Sequence, residues 1–125
     1  MVGWLSIFTG KEFIGYGSFV ECSHCHNKVW LEVWQPYSQT RPYTIIPLPK
    51  QYGSFVVRCR ICHWGVNIRK KERDRVRDIL EEGKSATKES FARMDGKEKQ
   101  HLLKNLNRCG FTELARYLAF GEQVT

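Results

Sequence analysis

Residues 19–34, FVECSHCHNKVWLEVW, and residues 55–68, FVVRCRICHWGVNI, decide how this chain folds. In each stretch a Cys-x-x-Cys pair sits between segments rich in β-branched and aromatic residues, the composition of strands. Cys22 and Cys25 form the first pair, Cys59 and Cys62 the second. Two intervening residues let both thiolates of one turn aim at a single ion about 2.3 Å away. Two such turns brought together complete a tetrahedral shell with no open position, the arrangement of a structural site. The expectation is therefore one zinc ion held by Cys22, Cys25, Cys59 and Cys62.

Energetics favour the same reading. A β-rich segment of roughly 50 residues buries too little apolar surface to be secure alone. Structural zinc, worth roughly 10–16 kcal/mol in small peptides, supplies the difference. Two rival centres use the same cysteines. Each pair is followed by histidine, His26 and His63, so both match the Cys-x-x-Cys-His attachment motif of c-type haem. Haem attachment needs an export route that the sequence lacks, and strand-flanked turns do not wrap a porphyrin. Iron in a rubredoxin-like thiolate shell is the other rival. His24, His26 and His63 read as exposed side chains on the turns, with a partner contact or a substitute ligand as the alternative.

Working outward, Val29 to Trp34 alternates as a strand, QPYSQTRP (35–42) reads as turn-rich, and Tyr43-Thr44-Ile45-Ile46 offers a second strand ended by Pro47 and Pro49. Gly53-Ser54 reads as a turn, Phe55–Arg58 as a third strand, and Gly65–Ile68 as a short return strand. From Arg69 the period changes. Val76, Ile79 and Leu80 make a narrow apolar stripe in a charged run, which predicts a helix over 70–82 closed by Gly83. GKSAT (83–87) reads as a hinge before a short helical piece near Lys88 to Met94. Asp95 and Glu98 match a capping box, and Leu102, Leu103, Leu106 and Cys109 share a face up to a Gly110 C-cap, with Phe111 as its apolar contact. Thr112 then caps a helix carrying Leu114, Tyr117 and Leu118, giving a helical hairpin over 96–121. The expected fold is α+β: a small antiparallel zinc ribbon with an apolar N-terminal segment over 1–68, then a helical tail over 69–125.

Within residues 19–68, the order CSHC, VWLEVW, YTIIPLPKQYGSFVVRC and RICHWGV resembles a family of small zinc-ribbon proteins. In that family a Cys-x-x-Cys, a strand, an Ile-Pro-Leu-Pro-like stretch and a second Cys-x-x-Cys follow in this order. The resemblance implies a fold and a metal, and no reaction. Glycine usually follows each pair in such ribbons, whereas His26 and His63 stand there in this chain.

The 125 residues carry 42% hydrophobic and 26% charged residues, which is globular composition. No apolar run approaches the ~20 residues of a membrane span. MVGWLSIFTG lacks a basic n-region and a cleavage site, and Val2 excludes N-myristoylation. A cytoplasmic or nuclear, non-secreted protein is the expectation, in line with cysteines kept as thiols. No nucleophile motif or phosphate-binding glycine loop is present, so neither an enzyme nor a small-molecule substrate is expected.

Most of the net charge of +7 arises from Arg58 onward, with eight basic and five acidic residues in each of 58–83 and 84–125 against four and three in 1–57. Two kinds of partner fit. One is another protein, docked on the helical tail or on Trp4, Leu5, Ile7 and Phe8. The other is RNA or DNA, met by Arg41, Lys50, Arg58 and Arg60 among Trp30, Trp34, Trp64, Tyr37, Tyr43 and Tyr52, and by Arg69, Lys70, Lys71 and Arg73. Core filling is the plainer account of the aromatic rings, and helical salt bridges with Glu72, Asp74 and Asp78 the plainer account of the basic run. The interleaved acidic residues favour the protein partner. The last helices could form a helix-turn-helix, but with Arg116 as the only basic reader a plain hairpin is preferred. Cys109 reads as a small core hydrophobe outside the metal site.

Overall fold

The computed structural model describes residues 5–42 and 49–120. Two long strands, β1 (Leu5–Glu21) and β2 (Lys28–Pro42), form a hairpin. β3 (Gln51–Tyr52) and β4 (Phe55–Arg58) both pair with β2, and β5 (Gly65–Ile68) returns along β4. The sheet is antiparallel, in the order β1-β2-β4-β5 with β3 also against β2. A 3-10 turn over Lys70–Glu72 leads into α1 (Arg73–Glu82), α2 (Lys84–Arg93), α3 (Gly96–Arg108) and α4 (Thr112–Phe120). The α+β class and the two strand-flanked cysteine turns are as the sequence implies.

One buried core joins sheet and helices. Val33, Phe55, Val57 and Ile68 pack with Val76, Leu80, Leu102, Leu106, Phe111, Leu114 and Leu118. Full burial of such a side chain is worth about 1.5–3 kcal/mol, so Val76 and Leu80 bind α1 to the sheet. Ile68, the last residue assigned to the ribbon, is only 2% exposed within this core.

β1 departs from the sequence reading most. Its register against β2 shifts between Phe13 and Gly15 and again between Tyr16 and Phe19. At this bulged edge the helices come very close. A Cβ on Gly83, between α1 and α2, would lie 1.8 Å from the Tyr16 carbonyl oxygen, and one on Gly17 would lie 2.5 Å from Ile79 Cγ2. Tyr16 N–H donates to Thr87 Oγ1 at 2.8 Å, and that hydroxyl donates to the Gly83 carbonyl at 3.0 Å. Thr87 has no exposed surface.

Three local expectations are corrected. GKSAT is no hinge: α2 begins at Lys84, with Thr87 N–H on the Gly83 carbonyl, because Thr87 is needed against β1. QPYSQTRP continues β2, since pairing with β1 overrides its turn-like composition. Gly53-Ser54 does not reverse the chain. β3 and β4 run the same way along β2, with the register slipping by one residue between them, which is a bulge. The strand expected at Tyr43–Ile46 lies outside the described residues, as do Trp4 and Pro47. Asp95 caps α3 by accepting from Glu98 N–H at 2.8 Å. Gly110 at φ +86° and Phe111 N–H on the Leu106 carbonyl end it. Thr112 is the first residue of α4 and not its cap, since Ala115 N–H already bonds the Phe111 carbonyl.

Candidate metal centre

Each cysteine turn is built the same way. Cys22 N–H donates to the Asn27 carbonyl and His26 N–H to the Cys22 carbonyl; Cys59 N–H donates to the Trp64 carbonyl and His63 N–H to the Cys59 carbonyl. His24 N–H reaches Cys22 Sγ and Ile61 N–H reaches Cys59 Sγ, both at 3.4 Å. Such N–H groups offset thiolate charge. His26 and His63, the residues that follow each pair, hold φ of 61° and 64°. Histidine is among the residues that tolerate the left-handed region, which lets each turn close without glycine. His24, His26 and His63 are exposed and lie outside the sulfur cluster.

The two turns meet face to face. Cys22 Sγ lies 3.6 Å from Cys62 Sγ and Cys25 Sγ 3.7 Å from Cys59 Sγ, with all four sulfurs within 4.8 Å of one another. Four sulfurs about 2.3 Å from a shared ion stand roughly 3.8 Å apart at the corners of a tetrahedron, and a disulfide would need about 2.05 Å. The donor set fits a tetrahedral thiophilic ion. Among the thiols alone, the Asn27 backbone N–H holds Cys25 down to about 6 against the opposing effect of burial. Cys62 is pushed up to about 12: the Trp64 N–H lowers it, but burial and the sulfurs of Cys22, Cys59 and Cys25 raise it more. Thiols this crowded resist a shared ionisation, and a divalent cation removes that resistance. Cys22, Val29 and Cys59 form a small buried cluster of their own, while Cys109 belongs to the main core.

The basic residues separate into distinct settings. Lys50 Nζ binds Glu12 Oε1 at 3.1 Å and lies 4.3 Å from the Tyr37 ring centroid. Arg58 Nε stands 3.4 Å from Glu32 Oε1 without hydrogen-bond alignment, and its guanidinium lies 4.8 Å from the Trp34 centroid. Arg60 lies 5.7 Å from the Tyr16 centroid. Arg41 is opposite Ser6 in the β1–β2 ladder. Arg69, Lys70, Lys71 and Arg73 are exposed around the start of α1, where Arg75–Glu72 and Arg77–Asp74 form the expected i,i+3 pairs. Core filling by the aromatic rings is not what the structure shows. Trp30, Trp34, Tyr37 and Tyr52 are half-buried and Trp64 is 49% exposed, whereas the fully buried aromatic rings among the described residues are Phe55 and Phe111.

Sequence reasoning missed a polar cluster centred on Glu12, which is 4% exposed. Arg108 Nη2 donates to Glu12 Oε2 at 2.8 Å and Nη1 to Gln35 Oε1 at 3.0 Å, while its guanidinium lies 3.5 Å from the Tyr52 centroid. Tyr52 hydroxyl also reaches Glu12 Oε1. Glu12 and Arg108 are 96 positions apart, and no spacing rule connects them. No helix among the described residues is long and apolar enough to cross a membrane. No family model, curated protein or solved structure matches the chain.

Proposed function

We infer that the four cysteines hold one zinc ion as a structural centre, and that the chain is a non-enzymatic, ribbon-type binding module serving as a protein-interaction adaptor in a reducing compartment. Zinc is the thiophilic ion whose chemistry suits a closed tetrahedral shell with no redox role. Such a shell leaves no site at which to activate water, which supports a binding role over catalysis. One observation carries the adaptor reading. Phe19, Val20, Ile61, Trp64 and Val66, between 39% and 55% exposed, all lie on the two metal-bearing hairpins. Apolar groups gathered at one end of a small fold mark a docking site.

The test is capture from a cell extract by the full, metal-loaded chain, compared with Trp64→Glu. A partner protein retained by the parent at high salt and lost by Trp64→Glu supports the reading; retention by both overturns it. A second reading rests on the sheet face that the helices leave uncovered. Tyr16 opposite Glu32 and Phe19 opposite Trp30 line it together with Trp34, with Arg58 over the Trp34 ring and Arg60 over that of Tyr16. Rings and guanidinium groups together can stack on unpaired bases. Recovery of nucleic acid whose affinity falls steeply with salt would favour this second reading.

A further inference from the structure

Apart from both surfaces, a cavity of about 220 Å³ opens where the sheet, the start of α1 and the end of α3 meet. Gln35, Tyr52, Phe55, Lys70, Arg73, Arg108 and Cys109 line it. Three of these are cations and none is a carboxylate. The nearest anion in the network is Glu12, whose oxygens are already taken: Oε1 by Lys50 and Tyr52, Oε2 by Arg108. Two cations, Lys50 and Arg108, thus hold one buried carboxylate, and Lys70 and Arg73 line the cavity beside Arg108.

Elsewhere Arg58, Arg75, Arg77 and Lys84 each stand beside an acidic residue. Among the described residues, Lys70 and Arg73 have no carboxylate partner. Helix capping explains part of Arg73, whose Nη1 donates to the Cys109 carbonyl at 3.5 Å near the end of α3. The rest of its fork and the Lys70 ammonium are left for a ligand. Arg108 is held rigidly by Glu12, Gln35 and the Tyr52 ring, so one wall of the cavity is pre-organised. A guanidinium fork and an ammonium suit the tetrahedral oxygens of phosphate, which take several charge-assisted bonds at once.

We propose that this cavity is a binding site for a phosphate group, held by Lys70, Arg73 and Arg108. The group is either a free phosphate or phosphomonoester, or one phosphate of a nucleic-acid strand. The experiment titrates the full, metal-loaded chain with inorganic phosphate, replacing sodium chloride so that ionic strength stays constant. Thermal unfolding and backbone amide chemical shifts are the readouts. Phosphate is expected to raise the melting temperature where chloride does not, and to move the amides of residues 70–73 and 108–110. Loss of one charged contact should weaken binding about tenfold in Lys70→Gln and in Arg73→Gln. Should Arg73→Gln fail to fold, Lys70→Gln decides alone, since its side chain is exposed. A single-stranded oligonucleotide forms the second arm. Oligonucleotide binding that is weakened by Lys70→Gln, with no response to inorganic phosphate, assigns the phosphate to a strand and upholds the site. No response to either probe, or a response that Lys70→Gln leaves unchanged, overturns it.

Discussion

Replacing Thr87 tests whether the helices are fastened to the bulged edge of β1 as described. Thr87 is wholly buried, and its hydroxyl takes the Tyr16 N–H at 2.8 Å. Valine keeps the shape and removes the acceptor. The Gly83 carbonyl is not orphaned, because Thr87 N–H still donates to it at 2.9 Å. Tyr16 N–H alone loses its partner, and an unsatisfied buried donor costs about 1–3 kcal/mol. Serine keeps the acceptor and gives up one methyl group, a loss of about 1 kcal/mol. The expected order of melting temperature is therefore parent, then Thr87→Ser, then Thr87→Val. The valine variant should fall by roughly 5–10 °C for about 2 kcal/mol in a domain of this size. Circular dichroism melts of the metal-loaded proteins measure it. If Thr87→Val matched or exceeded Thr87→Ser, packing alone would hold α2 to β1, and the role given to the hydroxyl would be wrong.

Other consequences are equally open to measurement. Gly83→Ala would drive a methyl group into the Tyr16 and Gly17 backbone, and overpacking of that kind costs about 1–3 kcal/mol or more; denaturant titration should show the loss. Cys109→Ala should leave the bound metal unchanged, whereas Cys25→Ser should lower it and destabilise the hairpins, both read by elemental analysis and melting. Folding raises the Lys50 pKa, because the Glu12 carboxylate outweighs the opposing effect of burial. It also raises that of Tyr52, chiefly through burial. A raised folded-state value means stability that is complete below the unfolded value and lost as pH climbs through the folded one. Stability should therefore drop above pH 10.5, and Lys50→Met should flatten that limb of a melting-temperature profile. Thiols must lose their protons to bind metal, so release to a chromogenic chelator should quicken as pH falls.

What could be read from the sequence was local. The four ligands follow from two Cys-x-x-Cys turns, and the Asp95 cap and the Gly110 ending of α3 follow from residues three to five apart. The Val76–Leu80 stripe is also short-range. The features that escaped are tertiary. β1 carries Gly10, Gly15 and Gly17 and two register shifts, so it lacks the alternation that betrays a strand; its glycines answer to Tyr37, Leu80 and Ile79 of distant elements. QPYSQTRP becomes strand because β1 pairs with it, and GKSAT becomes helix with Thr87 locked on Tyr16. The Glu12 network joins β1, β2 and α3 across most of the chain, so its charge balance, and the cationic cavity it leaves, emerge only in three dimensions.

Elemental analysis of the purified full chain decides whether one ion shared by Cys22, Cys25, Cys59 and Cys62 holds both hairpins in place. One zinc per chain is expected, with a visible spectrum free of haem or iron–thiolate bands. A chain that is folded yet free of zinc, or one that carries iron in its place, would contradict it.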